Sequence, residues 1–279
     1  MKVLDATRPS EAPAAPPPRA KRAHRPRIAP LVGIVLAALA AEVVPRTGLI
    51  AGDALPPLSS VLAELGRQAG DSALWEALGR TVRTWAVGLA IAVAAGVVAG
   101  VLIGLVPVLR AITASTVEFL RPIPSVALIP AVILIFGTDY QSGVVLIVYA
   151  GFWQVLVQVL YGVQDIDPVA HDTARSYRFS VWGRVRYVIW PTALPFVFTG
   201  IRLAASVALV LAITGELVIG TPGIGQLISV AQSSGATTEM FALVLVTGVL
   251  GVIVNTGFRY VERAVLGWHP SVRRSEGAR

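Results

Sequence analysis

The sequence predicts an all-α, polytopic membrane protein of about six transmembrane helices, and three observations predict it. Hydrophobic residues make up 55% of the chain and charged residues only 14%, with a mean hydropathy of +0.72. Soluble domains carry about 25% charged residues. Apolar runs recur along the chain, and 279 residues have room for about five or six spans of roughly 20 residues. Arginines alternate between the intervening segments in the manner of a membrane protein that keeps its basic loops on the cytoplasmic side.

Residues 1–27 are rich in Pro, Ala and Arg without apolar periodicity, and read as a disordered basic cytoplasmic tail. Residues 28–267 read as the membrane domain, and 268–279 as a second cytoplasmic tail. Ile28 to Val44 is a short apolar run, read as a first span. The basic flank before it and Ala38-Leu39-Ala40 also fit a cleaved signal peptide. Arg46 to Arg80 is mixed polar and charge-balanced, an outer loop with an amphipathic helix over Leu58 to Leu65. Val82 to Val106 is the second span. Gly88, Ala92, Gly96, Gly100 and Gly104 recur in it every fourth residue, a flat stripe against which another helix packs closely.

Arg110 marks an inner turn. The third span, Val117 to Phe136, contains Pro122, Pro124 and Pro130, whose missing N–H groups free carbonyls that neighbours must satisfy. Gly143 to Val163, Thr192 to Ile219 and Phe241 to Phe258 complete the set. Between the last two lies Thr221-Pro222-Gly223-Ile224-Gly225, a turn before a short outer helix. Every segment assigned to the inside carries arginine, which places both chain ends in the cytoplasm.

The stretch from Asp165 to Pro195 is polar and basic between two spans. Asp167-Pro168 is a helix start. Ala170, Ala174 and Tyr177 share one face of the helix that follows, with Asp172, Arg175 and Arg178 around the other. The pattern breaks at Phe179-Ser180, resumes at Val181 and Trp182, and is expected to close at Pro191 and Pro195.

This stretch resembles the cytoplasmic coupling loop of bacterial ABC importer permeases, which reads Glu-Ala-Ala, three residues, Gly, nine residues, Ile-x-Leu-Pro. Here Asp172, Thr173 and Ala174 stand at its start and Val188, Trp190 and Pro191 at its end, with full agreement in spacing. Arg178 replaces the glycine, and its Cβ is expected to move the turn toward Phe179-Ser180. Arg121-Pro122-Ile123-Pro124, Ala127-Leu128-Ile129-Pro130 and Phe136-Gly137 resemble the sulfonate, taurine and nitrate branch of the same permeases. The resemblance implies a type I importer permease fold in the bacterial inner membrane, working as a dimer of identical or paralogous copies. It also implies a separate cytoplasmic ATP-binding subunit and an extracytoplasmic substrate-binding protein. Residues 165–190 would be the coupling loop, with Asp172, Thr173, Ala174, Arg175, Arg178, Trp182 and Pro191 meeting the ATPase. The cargo would be a small anion such as a sulfonate, taurine or nitrate.

Both lysines, Lys2 and Lys21, lie in the amino-terminal tail, so a phosphate-binding loop is excluded from the membrane domain. No cofactor is expected on this chain; ATP belongs to the partner. The absence of cysteine and the scatter of His24, His171 and His269 leave no metal-ligating cluster. The net charge of +7 follows from the basic inner loops rather than from nucleic-acid binding. Gln154, Gln158, Arg202, Ser206 and Glu216 are candidates for lining a path, although single polar residues in spans also join helices. Arg202 and Glu216 lie roughly 21 Å apart along one helix and cannot pair with each other. The alternative function is an ion-gradient-driven secondary transporter, which would place acidic or His residues at mid-span.

Overall fold

The computed structural model describes residues 29–47 and 54–267; both expected tails lie outside the described residues. Helices α1 (Ala29–Arg46) and α2 (Leu58–Gln68) precede the long α3 (Ser72–Leu105). Next come α4 (Pro107–Leu120), a 3-10 turn (Ser125–Leu128), α5 (Ile129–Phe136) and α6 (Tyr140–Gln164). The loop holds α7 (Pro168–Ser176), α8 (Val181–Arg184) and a π-turn (Val185–Ile189). The chain returns through α9 (Trp190–Ile219), α10 (Ile224–Ser233) and α11 (Thr237–Leu266). No strand occurs among the described residues.

Among the described residues four helices are long and apolar enough to cross a membrane, and a pair bent by 83°, Pro107–Leu120 with Ser125–Phe136, makes a fifth when counted as one span, against the six expected. The third span, expected over Val117 to Phe136, thus begins earlier, at Pro107, and is broken where its prolines stand. Pro124 has no N–H for the Leu120 carbonyl. The Leu120 carbonyl accepts instead from the Ile123 N–H at 3.2 Å and from the Tyr149 hydroxyl of α6 at 2.9 Å, so a local turn and a neighbouring helix share the polar cost of the break.

The small-residue stripe of α3 lies directly on α6. A Cβ built on Gly96 or Gly100 would stand 2.7 Å from the Cβ of Val155 or Val159. Gly88 meets Ile147, and Gly104 meets Val163. In return, Gly143 of α6 faces Thr84, and Gly151 faces Ala92. All these pairs share one constant offset, so α3 and α6 run parallel. Two parallel spans joined by a connection require an odd number of crossings between them, and the bent segment supplies that one crossing.

α9 runs antiparallel to α6: Gly162 meets Ala193 and Phe196, while Gly200 meets Gln158 and Val155. The main core lies among α3, α6 and α9, centred on Leu146, Ile147, Val155, Val159, Ala204 and Ala208. The Trp85 Nε1 donates to the Ala205 carbonyl at 2.9 Å, and its ring meets Phe258 edge-on, joining α3, α9 and α11.

Pro191 and Pro195 do not close the loop. The helical run is continuous from Trp182 to Ile219, 38 residues, interrupted only by the π-turn over Val185–Ile189. A proline inside a helix leaves carbonyls one turn back without a donor; here the π-turn widens the helix just before Pro191, with the Trp190 N–H reaching the Val185 carbonyl. The Thr192 hydroxyl donates to the Val188 carbonyl at 2.8 Å.

Candidate functional site

The 165–190 loop is built from its first residue upward. The Asp167 carboxylate accepts from the Val169 N–H at 2.9 Å, and Pro168 occupies the first turn of α7. At the other end, Arg178 takes φ +52°, the one positive φ at a non-glycine residue among the described residues. The Phe179 N–H donates to the Ala174 carbonyl at 3.0 Å and the Arg178 N–H to the Arg175 carbonyl at 2.9 Å. These are the two bonds of a Schellman helix end with Arg178 in the left-handed position. The expectation of a shifted turn is thus overturned. The 6→1 and 5→2 bonds fix the turn at Arg178, and an arginine tolerates a conformation that a glycine adopts without cost. Ser180 then caps α8, its Oγ accepting from the Gly183 N–H at 3.1 Å.

Among the sequence-predicted loop residues, Ala174 faces inward, 4% exposed. It fits α7 onto the rest of its own chain rather than presenting a surface. Asp172, Thr173, Arg175 and Arg178 are exposed, as is Trp182 at 71%. The Thr173 hydroxyl donates back to the Val169 carbonyl at 2.7 Å. Pro191 is half-buried in the first turn of α9. Tyr177, expected on the face shared with Ala174, is 77% exposed, and Phe179 and Tyr187, edge-on at 6.3 Å, add further aromatic surface.

The polar residues of the spans separate into different settings. Gln154 and Gln158 are half-buried on α6, beside Gly200 of α9. Ser206 is exposed on α9 and donates to the Arg202 carbonyl at 3.2 Å. The Arg202 Nη1 donates to the Glu262 Oε2 at 3.0 Å, joining α9 to α11. Sequence spacing excluded Glu216 as its partner. It did not reveal Glu262, because α11 continues well beyond the expected end of the last span at Phe258.

Glu216 is 3% exposed. Its Oε2 accepts from the Thr81 hydroxyl at 2.9 Å and from the Gly225 N–H at 3.0 Å. The Thr81 hydroxyl oxygen in turn accepts from the Ile224 N–H at 3.0 Å. A carboxylate and a hydroxyl thus satisfy the first N–H groups of α10, where the helix dipole favours negative charge. The other oxygen, Oε1, is buried without a partner among the described residues. Gly223 and Gly225 leave room for this arrangement: a Cβ on Gly223 would land on the carboxylate itself, and one on Gly225 on the Ile213 carbonyl. One knot therefore holds α3, α9 and α10 at the end of the bundle opposite the loop.

A residue that the sequence reading passed over is Arg83, at the start of an apolar run. It shares a face of α3 with Arg80, three residues earlier. Its guanidinium lies 5.6 Å from the centroid of the Tyr140 ring.

Comparison with known proteins agrees with this arrangement. Residues 92–267 match the family described as binding-protein-dependent transport system inner membrane component. The chain is 31% identical over 224 residues to the taurine transport system permease protein of Escherichia coli, covering 78% of this chain and 82% of that one. It is 31% identical to a putative aliphatic sulfonates transport permease protein of Bacillus subtilis, over 56% of each chain. With the bicarbonate transport system permease protein of Synechococcus elongatus it shares 28% identity over 69% of each. Its fold is that of a methionine ABC transporter solved in inward-facing conformations, with a TM-score of 0.61, 20% identity, and coverage of 69% of this chain and 96% of that one. The parallel α3–α6 pair, the capped loop between α6 and α9 and the family match over most of the membrane domain lead to one conclusion: the chain belongs to the binding-protein-dependent transport system inner membrane components, the permease subunits of ABC importers.

Proposed function

We propose that this permease carries a small organic or inorganic anion and takes its power stroke through the 165–190 loop. The observation that carries the coupling reading is the loop surface. Tyr177 and Trp182 are more than two-thirds exposed on a segment whose backbone is fixed by a cap at Asp167 and a Schellman end at Arg178. Rigid aromatics exposed on a polar loop mark a protein interface. A rigid contact transmits the motion of an ATPase, whereas a loose one dissipates it. Exposed Asp172, Thr173, Arg175 and Arg178 supply polar contacts at the rim, and Ala174 supports them from beneath.

The anion reading is supported by relatives whose names specify taurine, sulfonates, bicarbonate and nitrate. An ATP-binding subunit, an extracytoplasmic binding protein and a second permease copy complete the transporter. The path forms between two copies, with Gln154, Gln158 and Ser206 contributing polar groups, while Arg202 and Glu216 hold helices together. With the loop in the cytoplasm the end of α11 is cytoplasmic, and α1, taken as a sixth crossing beside the five apolar ones, puts the amino end there too; a reporter fused after Arg184 reads inside and one after Gly235 reads outside.

The test is Trp182→Ala and Tyr177→Ala in the reconstituted complex. Exposed substitutions change chain stability by about 0.5 kcal/mol or less, so membrane insertion stays normal. Removing an aromatic anchor costs an interface roughly 2 kcal/mol or more, so ATPase-subunit association weakens by at least about tenfold. Unchanged association and unchanged substrate-stimulated hydrolysis in both variants would remove the loop from this role.

A further inference from the structure

At the end of the bundle opposite the loop, a cavity of about 420 Å³ is lined by Arg80, Arg83, Thr84, Tyr140, Thr221 and Pro222. Three separate parts of the chain build it: the first turns of α3, the start of α6 and the turn between α9 and α10. No acidic residue lines it. Arg83 has no carboxylate within 4 Å among the described residues, and its guanidinium is held against the Tyr140 ring. Arg80 contacts Glu76 at 3.4 Å, with both side chains more than half exposed. An exposed ion pair at this spacing contributes little and yields readily to a competing anion. Asp139 adjoins Tyr140 but forms no ion pair with either arginine among the described residues. The buried Thr84 and Thr221 line the cavity below, and the Glu216 carboxylate is already engaged by Thr81 and Gly225.

We propose that this cavity is a binding site for the transported oxyanion, the first station it occupies on the permease. Two guanidinium groups one helical turn apart offer forked donors suited to a sulfonate, nitrate or carboxylate group. The Tyr140 and Thr221 hydroxyls are neutral donors beside them, while the Thr84 hydroxyl already donates to the Arg80 carbonyl at 3.1 Å. Stacking on Tyr140 orients the Arg83 fork before an anion arrives, which lowers the ordering cost of binding. The inference rests on the reading of the cargo as an anion. The same chemistry would also hold a phospholipid headgroup, and the experiment separates the two.

The probe is trifluoromethanesulfonate, followed by the fluorine NMR linewidth, with the permease bound to its ATPase subunit in dodecylmaltoside micelles without nucleotide. Broadening is expected with the native complex. Ethanesulfonate or nitrate should reverse it, and tetramethylammonium chloride at matched ionic strength should not. Arg83→Gln and, independently, the surface variant Arg80→Gln should each weaken probe binding by about tenfold, the loss expected for one charge-assisted contact. Arg83→Lys should recover only part of it, because the point charge lacks the fork and the stacking. Monodisperse elution of each variant confirms that it is folded. Equal broadening in the native complex and in both Gln variants overturns the site. So does displacement of the probe by phosphatidylglycerol but not by free nitrate or ethanesulfonate, which would assign the cavity to lipid headgroups. The assay contains no ATP, so its outcome is independent of whether the 165–190 loop couples to the motor. Probe binding in a transporter that fails to move anions would refute the cargo reading and not the cavity.

Discussion

Replacing Glu216 separates a structural knot from a transport charge. In Glu216→Ala the Gly225 N–H, which donates to Oε2 at 3.0 Å, is left buried without an acceptor. Thr81 loses one partner but keeps the Ala77 carbonyl at 3.1 Å. An orphaned buried donor costs about 1–3 kcal/mol, and the void left by the missing carboxyethyl arm adds about 1 kcal/mol more. The sum is about 2–4 kcal/mol. For a membrane domain of this size that lowers the apparent unfolding temperature by on the order of 10 °C. Glu216→Gln keeps an amide oxygen where Oε2 stands, and its NH₂ replaces the oxygen that has no partner. It exchanges one unpartnered buried polar group for another and keeps the Gly225 and Thr81 contacts, so it should cost less than Glu216→Ala. Gly223→Ala should resemble Glu216→Ala, since the new Cβ displaces the same carboxylate. The assay is the fraction of monodisperse protein surviving a heat ramp in detergent, paired with substrate uptake in proteoliposomes. If the Glu216→Gln variant retains full thermal stability yet abolishes uptake, the negative charge acts in transport and the knot reading is refuted.

Other substitutions probe the packing and the loop. Gly100→Ala places a Cβ 2.7 Å from that of Val159 and should cost on the order of 2–3 kcal/mol through overpacking, read as a lower unfolding temperature. Gly79→Ala, with nothing within 4 Å, should be neutral or slightly stabilising for helix propensity. Arg178→Gly should relieve about 1 kcal/mol of left-handed strain. It should protect the α7 end amides more strongly in hydrogen exchange, and weaker protection there would contradict the Schellman assignment.

Much of the fold was legible in the chain. The apolar runs, the amphipathic α2, the Asp167 cap and the short α10 follow from local signals that act within one or two turns. What was not legible depends on distant partners. Ala174 lay on the apolar side of its helix with Ala170 and Tyr177, but only the packed loop shows that Ala174 is buried while the other two are exposed. Arg202 had no partner visible within its own helix, because Glu262 lies on another helix, 60 positions away. The prolines near residue 122 predicted disturbed hydrogen bonding. They did not give the 83° bend, nor show that the Tyr149 hydroxyl, on another helix, donates to the Leu120 carbonyl. Arg83 was hidden by the apolar run it begins, and Tyr140, which gives it a setting, belongs to another helix.

The small-to-large order along α3 and α6 also acts as a key with one position. Sliding α6 by one turn against α3 would keep every residue on its facing ridge. It would also set Thr84 against Ile147, leave Gly88 opposite Gly151 with an empty gap, and press Ala92 into Val155. Only the observed alignment avoids both collision and vacancy at every level. This register favours the two helices moving as a single piece, and leaves the 83° bend and the π-turn before Pro191 as the places where the helical bundle is interrupted.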